Sequence, residues 1–500
     1  MTSGRFAVSI PRAGAVAVLP VSRLFTLAFI LLVVLHPVLI WAFPYFPSQD
    51  GPIHLGITRT LADYDHPAYP AMAEYFEREW SLQRNPLTYL VLGGLGRVIP
   101  LLTAEKVYLT VIVTLFPLSL LYALRGVTRD SVLPAFFAFP MTYGYTLMAG
   151  FYSFALGVSA FLLTVGLWLR LRERWTARRV AAFAAATFAT YVCHIFAAFN
   201  VLLFVGLATL WEIAMPVLRR RGCVAFAEVR RLVLARGIPP LIAVSPVLAI
   251  VLAFMITVDA GSIPAMEISL PYRIVNFVAL APMVHYDGPD MLVAIPTSVL
   301  ALVSLIDVVR MKRHGEASGD GMFLFVFASY FALLLFVPTG ASGSIYIYPR
   351  LMVFVFLALI VAVAASPLGL ANRRFAASVL IAVSLANLGY RYGKHGEAND
   401  YLAEYLSGAH LIAPNSTVLA LTVDSETGAR AVSETVLPFL HAAGHIVVDR
   451  HVVDLKNFQA AHGDFFPVYY RPSLNPYVQL SPHLEAVSYT HLTLPTNREV

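Results

Sequence analysis

Charge is scarce in this sequence. Asp, Glu, Lys and Arg make up 13% of its 500 residues, about half of what a soluble globular domain carries. Lysine is nearly missing: Lys106, Lys312, Lys394 and Lys456 stand against an Arg and Lys total of 35. Cysteine is reduced to Cys193, in an apolar run, and Cys223, in a basic loop, which gives no basis for a disulfide framework or a Cys-based metal site. There is no phosphate-cradling glycine loop and no Gly-x-Ser-x-Gly elbow. No internal repeat is visible either, which counts against a repeat-built transporter. Together these absences exclude a cytosolic enzyme, a nucleic-acid module and a disulfide-stapled secreted domain.

What the chain has instead is apolar length. It is 58% hydrophobic, with a mean hydropathy of +0.72. Runs of about 17–20 apolar residues recur from Leu24 to Tyr390, each long enough to cross a bilayer at about 1.5 Å per residue. The expectation is an all-α polytopic membrane protein, and the Arg bias with abundant Ala, Val and Leu hints at a GC-rich bacterial genome.

Basic residues then set the topology. Arg5, Arg12 and Arg23 precede the first span, Leu24–Phe43, and place residues 1–23 in the cytoplasm. Residues 44–106 form an outer loop, in which Pro86–Leu102, with Gly93, Gly94, Gly96 and Arg97, reads as an interfacial or re-entrant helix. Ten further spans are expected: Val107–Leu124, Val132–Met148, Phe151–Leu169, Val180–Phe196, Ala198–Val217, Gly237–Val258, Met291–Val309, Met322–Val337, Leu351–Ala365 and Phe375–Tyr390. Eleven spans place 21 Arg and Lys inside and seven outside before the terminal segment. An odd count also leaves the C-terminus outside, so the setting is the bacterial inner membrane with residues 24–391 as the transmembrane part. Residues 392–486 turn soluble in composition, and Thr417–Thr422 and His445–Val448 read as short strands of a small, truncated extracytoplasmic α/β domain. Residues 487–500 are identified as the product of one reading frame of a sequencing adapter, and are set aside with His491.

Candidate chemistry gathers in the first outer loop. Asp50 and His54 stand four apart, on one face of a helix starting there; Asp50 also suits an N-cap with Pro52 in the first turn. Asp63-Tyr64-Asp65-His66 offers an alternative acidic pair, or a solvated turn before Pro67. Arg350, in Tyr346-Ile347-Tyr348-Pro349-Arg350, and Arg273, in Pro271-Tyr272-Arg273, are cations at outer span ends, suited either to a phosphate or to snorkelling toward headgroups. His194 lies toward the outer leaflet, and His285 and Asp287 in the 259–290 loop could line the same cavity. The terminal segment holds seven of the 14 histidines, but His441 and His445 are interrupted by Gly444 with no carboxylate at a zincin-like position, so no metal site is expected.

Over residues 24–125 the layout resembles the GT-C superfamily of integral membrane glycosyltransferases, which includes aminoarabinose transferases and protein O-mannosyltransferases. The resemblance rests on a cytoplasmic N-terminus, one span and an acidic residue, Asp50, early in the outer loop. It continues in Asn85-Pro86-Leu87-Thr88-Tyr89, similar to the family's Pro-Pro-Leu-Tyr-Tyr, and in Glu105-Lys106 leading into the next span. Many members carry a second acid beside the first, where this sequence has Gly51. The resemblance implies inverting transfer of a sugar from a polyprenyl-phosphate donor to a lipid, glycan or protein acceptor. Asp50 would then be the base, and a cation would sit on the leaving phosphate. It requires no cofactor and leaves room for a divalent metal ion, since relatives differ in using one. Membrane lipid is the expected partner, and nucleic acid is not. The rival expectation is a non-catalytic polytopic protein such as a lipid-linked glycan flippase or transporter, which would show broken helices or charges within several central spans.

Overall fold

A computed structural model describes residues 21–81, 86–218, 226–257, 268–283, 288–313, 321–338, 346–366, 368–420, 432–433, 435–461 and 466–479. Arg5, Arg12, Asn85, Cys223, His285, Asp287 and the 487–500 tail lie outside the described residues.

The chain begins with α1 (Val21–Trp41), whose Leu24, Leu27, Leu31, Val34 and Val38 form an exposed apolar stripe at alternating three- and four-residue steps. Such a stripe, left uncovered by the described residues, suits a lipid-facing surface. Next come α2 (Gly51–Asp63), α3 (Pro70–Tyr75), β1 (Phe76–Arg78) and α4 (Pro86–Gly96). At 11 residues, α4 reaches only about 16 Å, well short of a hydrocarbon core of about 30 Å. The chain then enters α5 (Leu101–Leu124).

After α5 comes a departure from expectation. The run 132–148 is not one span but three four-residue pieces, α6 (Val132–Ala135), α7 (Ala138–Met141) and α8 (Tyr145–Met148). Pro134 and Pro140 each remove a backbone donor. Gly144 lies so close to the following chain that a Cβ there would come within 2.9 Å of the Pro282 carbonyl. Irregular backbone at such depth is tolerated where protein surrounds it, and nearly every residue from Leu133 to Gly150 is buried.

Regular helices follow: α9 (Tyr152–Leu171), α10 (Ala177–Cys193), α11 (Ile195–Leu218), and α12 (Phe226–Leu232), which runs through a π turn at Val233–Gly237 into α13 (Ile238–Thr257). Then come the short α14 (Leu270–Val278), α15 (Met291–Arg313), α16 (Met322–Phe336), α17 (Ile347–Ala364) and α18 (Leu370–Leu406). Eight helical stretches among the described residues are long and apolar enough to cross a membrane: α1, α5, α9, α11, α12–α13, α15, α17 and α18. The difference from eleven is accounted for by the broken 132–148 run, by α10 at 17 residues and by α16 at 15. The protein is a polytopic, mostly helical membrane protein. Its centre is α17, buried at every residue from Leu351 to Ala364, as expected of a helix that is apolar all round.

The terminal segment differs more from expectation. α18 is 37 residues long, about 56 Å by helical rise, and passes residue 391 without a break. Beyond it lie β2 (Thr417–Val418), α19 (Ala443–Arg450), β3 (Val453–Asp454), α20 (Phe458–Ala461), β4 (Val468–Tyr470) and α21 (Pro476–Gln479). The expected strand His445–Val448 is helical, inside α19, and the expected strand 417–422 is β2 at its start.

The terminal segment has a small apolar cluster of its own, Ala409, Ile446, Val447 and Val452, and it also packs on the first loop. β4 pairs antiparallel with β1, Phe76 opposite Tyr470, while β2 and β3 pair in parallel. One apolar cluster joins Ile53, Ile57, Met72, Phe76 and Tyr89 to Val453, Ala460, Val468 and Tyr470. α19 lies against α2 because residue 444 is glycine: a Cβ there would collide with the Pro52 carbonyl and come within 2.9 Å of the Ile53 nitrogen. The first loop and the described part of the C-terminal segment therefore pack together as one cap.

Candidate active site

The nine residues between α1 and α2, 42–50, are held from both sides. On α18, Asn387, Arg391, His395 and Asn399 repeat every four residues and are all buried, a polar stripe on the inward face. At its end, Asn399 accepts from the Tyr45 N–H (2.9 Å) and donates to the Tyr45 carbonyl (3.0 Å). From the other side, the end of α8 offers two carbonyls: Met148 accepts from Gln49 N–H at 2.9 Å and Ala149 from Asp50 N–H at 3.3 Å. The chain then reverses at Gly150, with φ +90°.

Asp50 is the residue this scaffold presents. It occupies the N-cap position of α2, but its side chain makes no capping bond, so capping does not explain it. Its Oδ1 accepts from Gln49 Nε2 at 3.2 Å. Gln49 is oriented in turn, because its Oε1 accepts from the Leu437 N–H at 3.1 Å. His441 Nε2 lies 3.6 Å from the same Oδ1. Burial raises the Asp50 carboxyl to about pH 7, only partly offset by the Gln49 hydrogen bond and the Arg350 charge. A carboxyl poised there is what proton abstraction near neutral pH requires.

Arg350 sits in the first turn of α17 and completes the pair. Its guanidinium lies over the rings of Phe151 (4.6 Å) and Phe154 (5.7 Å), immediately after the Gly150 turn that Asp50 abuts. Its charge bears on Asp50, Tyr145, Tyr346 and His194, which places these residues in its neighbourhood. His194 is the single residue between α10 and α11. Its Nδ1 accepts from the Phe196 N–H at 3.1 Å and its ring meets Phe154 edge-on. It caps α11 rather than lying within a continuous span.

A second carboxyl comes from α5. Glu105 accepts from the Tyr152 hydroxyl at 2.7 Å, and Tyr152 is 2.7 Å from Ser48 Oγ. These three side chains fill the space a residue-51 side chain would need: a Cβ on Gly51 would collide with Ser48 and Tyr152 and come within 3.0 Å of Glu105. Glu105 was visible in the sequence only as part of a lead-in to the span. Its neighbour Lys106 turns away and donates to the Phe43 carbonyl at 2.5 Å.

Other expected site residues have different duties. The His54 ring is held at both nitrogens, Nε2 to the Gly150 carbonyl (3.0 Å) and Nδ1 to the Tyr89 hydroxyl (2.9 Å). A carbonyl can only accept, so Nε2 carries the proton; burial holds the imidazole down at about 4, so Nδ1 accepts from Tyr89. His54 thus fastens α2 to the Gly150 turn and α4 and has no free nitrogen for catalysis. Asp63 lies at the far end of α2, about 20 Å away by helical rise, paired with His451 Nδ1 at 2.6 Å. Asp65 is exposed and paired with Arg78 at 2.7 Å. This alternative acidic pair is bound up in the cap and takes no part in the Asp50 site. Arg273 is buried and donates to the carbonyls of Ile268, Leu334 and Val337. It caps the end of α16, leaving Arg350 as the cation of the site. Among the described residues no group of three His, Cys, Asp or Glu side chains is placed to hold a metal ion.

No protein-family model matches the chain, and a search of curated proteins returns no match.

Proposed function

We propose that the protein is a membrane glycosyltransferase of the GT-C kind, moving a sugar from a polyprenyl-phosphate donor to a lipid, glycan or protein acceptor. The observation that carries this reading is the meeting of Asp50 and Arg350. A buried carboxyl poised near pH 7 lies against Gly150, and a guanidinium at the start of α17 lies over the ring of the next residue, Phe151. The acceptor hydroxyl attacks the anomeric carbon while Asp50 takes its proton. The bond to the phosphate oxygen breaks, and the lipid phosphate leaves with the electron pair, its charge met by Arg350. Asp50 is 5% exposed, so acceptor access requires the 437–441 segment to lift from Gln49 and Asp50. In this reading the cap faces the outside of a bacterial inner membrane, with the N-terminus in the cytoplasm.

The test is a transfer assay in membranes with radiolabelled polyprenyl-phosphate sugars. Arg350→Ala is expected to lower kcat/KM for the donor by about 10²-fold, the scale of leaving a phosphate without its charged partner. Wild-type efficiency in that variant would remove the phosphate role from Arg350 and with it the basis of the reading.

The broken helical run at 132–148 favours a second reading, a lipid-linked glycan flippase or transporter, since broken helices line substrate paths in such proteins. Movement of a lipid-linked glycan in vesicles, with no transfer from any donor, would decide for it.

A further inference from the structure

We propose that His441, from the C-terminal segment, is a positioning residue that holds the Asp50 carboxylate in its ionised, proton-accepting form. This rests on the reading of Asp50 as the base, and adds to it a residue some 390 positions away in the chain.

Geometry carries the argument. His441 Nε2 is 3.6 Å from Asp50 Oδ1, and both side chains are almost completely buried, at 4% and 7% exposure. The approach is fixed from two directions. Behind His441, the ring of Phe458 lies 5.0 Å away centre to centre. Beneath it, the close packing of Gly444 on Pro52 fixes the start of α19 against the start of α2. Gln49 ties the same two segments together through Leu437.

The contact is not an ion pair. Burial, with the charges of Lys456 and His54 adding to it, pushes the His441 imidazole down to about 3. At neutral pH it is therefore an uncharged ring with one N–H. At 3.6 Å the contact is longer than a hydrogen bond; in this proposal the proton is on Nε2 and, on closer approach, favours the carboxylate over the carboxylic acid. Every other group that bears on Asp50 has a fixed role beside this one. Gln49 donates to the same oxygen, and Arg350 on α17 supplies positive charge. Asp50 in turn acts on Tyr89 of α4, Tyr145 of α8, Tyr152 of α9 and Tyr346 before α17, while Glu105 of α5 adds a carboxyl close to Gly51. Among the described groups that bear on Asp50, His441 is the one from the part of the cap that lifts for access in this reading. Closing the cap would thus switch Asp50 on as a base.

The experiment follows the Asp50 carboxyl directly, by infrared difference spectra of full-length protein across pH, with the Asp50→Asn spectrum subtracted. No substrate is needed. His441→Phe removes the donor and is expected to raise the Asp50 midpoint by about one to two pH units, the scale of one hydrogen bond to a charged group. His441→Gln, whose amide reaches the Nε2 position, should stay close to wild type, while the shorter His441→Asn should shift like Phe. The Gln and Asn pair decides the matter even if the Phe variant fails to fold. Equal midpoints in wild type, Gln and Asn would overturn the proposal. A shifted midpoint in a protein that transfers no sugar would leave the inference standing and sink the glycosyltransferase reading instead.

Discussion

Asp50→Asn is expected to lower transfer by about 10²–10⁴-fold while leaving the protein at least as stable as the wild type. The loss in rate is that of a general base removed in place. The stability follows from burial. With its carboxyl raised to about 7, Asp50 favours folding in its protonated form. That contribution is complete below the ordinary carboxylate pKa of about 4 and fades as pH rises through 7. Asparagine carries no such penalty, so the variant should gain on the wild type above pH 7 in a thermal melt. Because the Asp50 side chain caps nothing, Asp50→Ala should cost no capping energy and should be as inactive as Asn. In the wild type, the acid limb of kcat/KM should fall near pH 7. An Asn variant transferring at the wild-type rate would remove Asp50 from the chemistry.

Gly150→Ala is expected to cost about 2–4 kcal/mol and most of the activity. Residue 150 has φ +90°, and a Cβ there would sit 2.7 Å from both the Cβ and the nitrogen of Asp50. Neither can retreat, since the Asp50 nitrogen is bonded to Ala149 and the His54 ring to Gly150 itself. Any relaxation therefore displaces the carboxyl, and about 1 Å of misplacement can cost about 10²-fold. Gly56→Ala is the matched control: its Cβ would meet nothing closer than 3.6 Å and should be neutral or gain about 0.5–1 kcal/mol. Thermal unfolding in detergent, followed by chromatography, separates the two. Equal melting temperatures would show that the Gly150 turn is not under this constraint.

Hydropathy made the spans legible, and it misled only where the chain is apolar for another reason. Residues 132–148 are apolar because they are buried in protein, and Pro134 and Pro140 were the available sign that they are not one helix. Residues 445–448 read as a strand because a short apolar run with two valines has no period of its own. The i, i+4 pair His441 and His445 was the helical hint within it.

Charge placement singled out Arg350 and Asp50, because a buried cation and a buried acid are costly wherever they occur. It could not tell Arg350 from Arg273, which is taken up by the carbonyl of Ile268 just before it and those of Leu334 and Val337 at the end of α16. Glu105 and His441 were harder still. Each reaches the site only through tertiary packing, one below Gly51 and the other across Gly444. The four-residue step of Asn387, Arg391, His395 and Asn399 was there to be read; its partner at Tyr45 was not.

That last contact has a consequence for biogenesis. Tyr45 and Asn399 are 354 residues apart, and a ribosome adding about 5–20 residues per second needs about 20–70 s to cover that distance. During this interval α1 is inserted and the segment carrying Asp50 is exposed, with its polar backbone and its apolar surface waiting for strand and helix partners not yet made. The order of synthesis leaves the Asp50 loop unassembled until α18 and the segment after it arrive, and ribosome stalling before α18 would leave the Tyr45–Asn399 contact unmade.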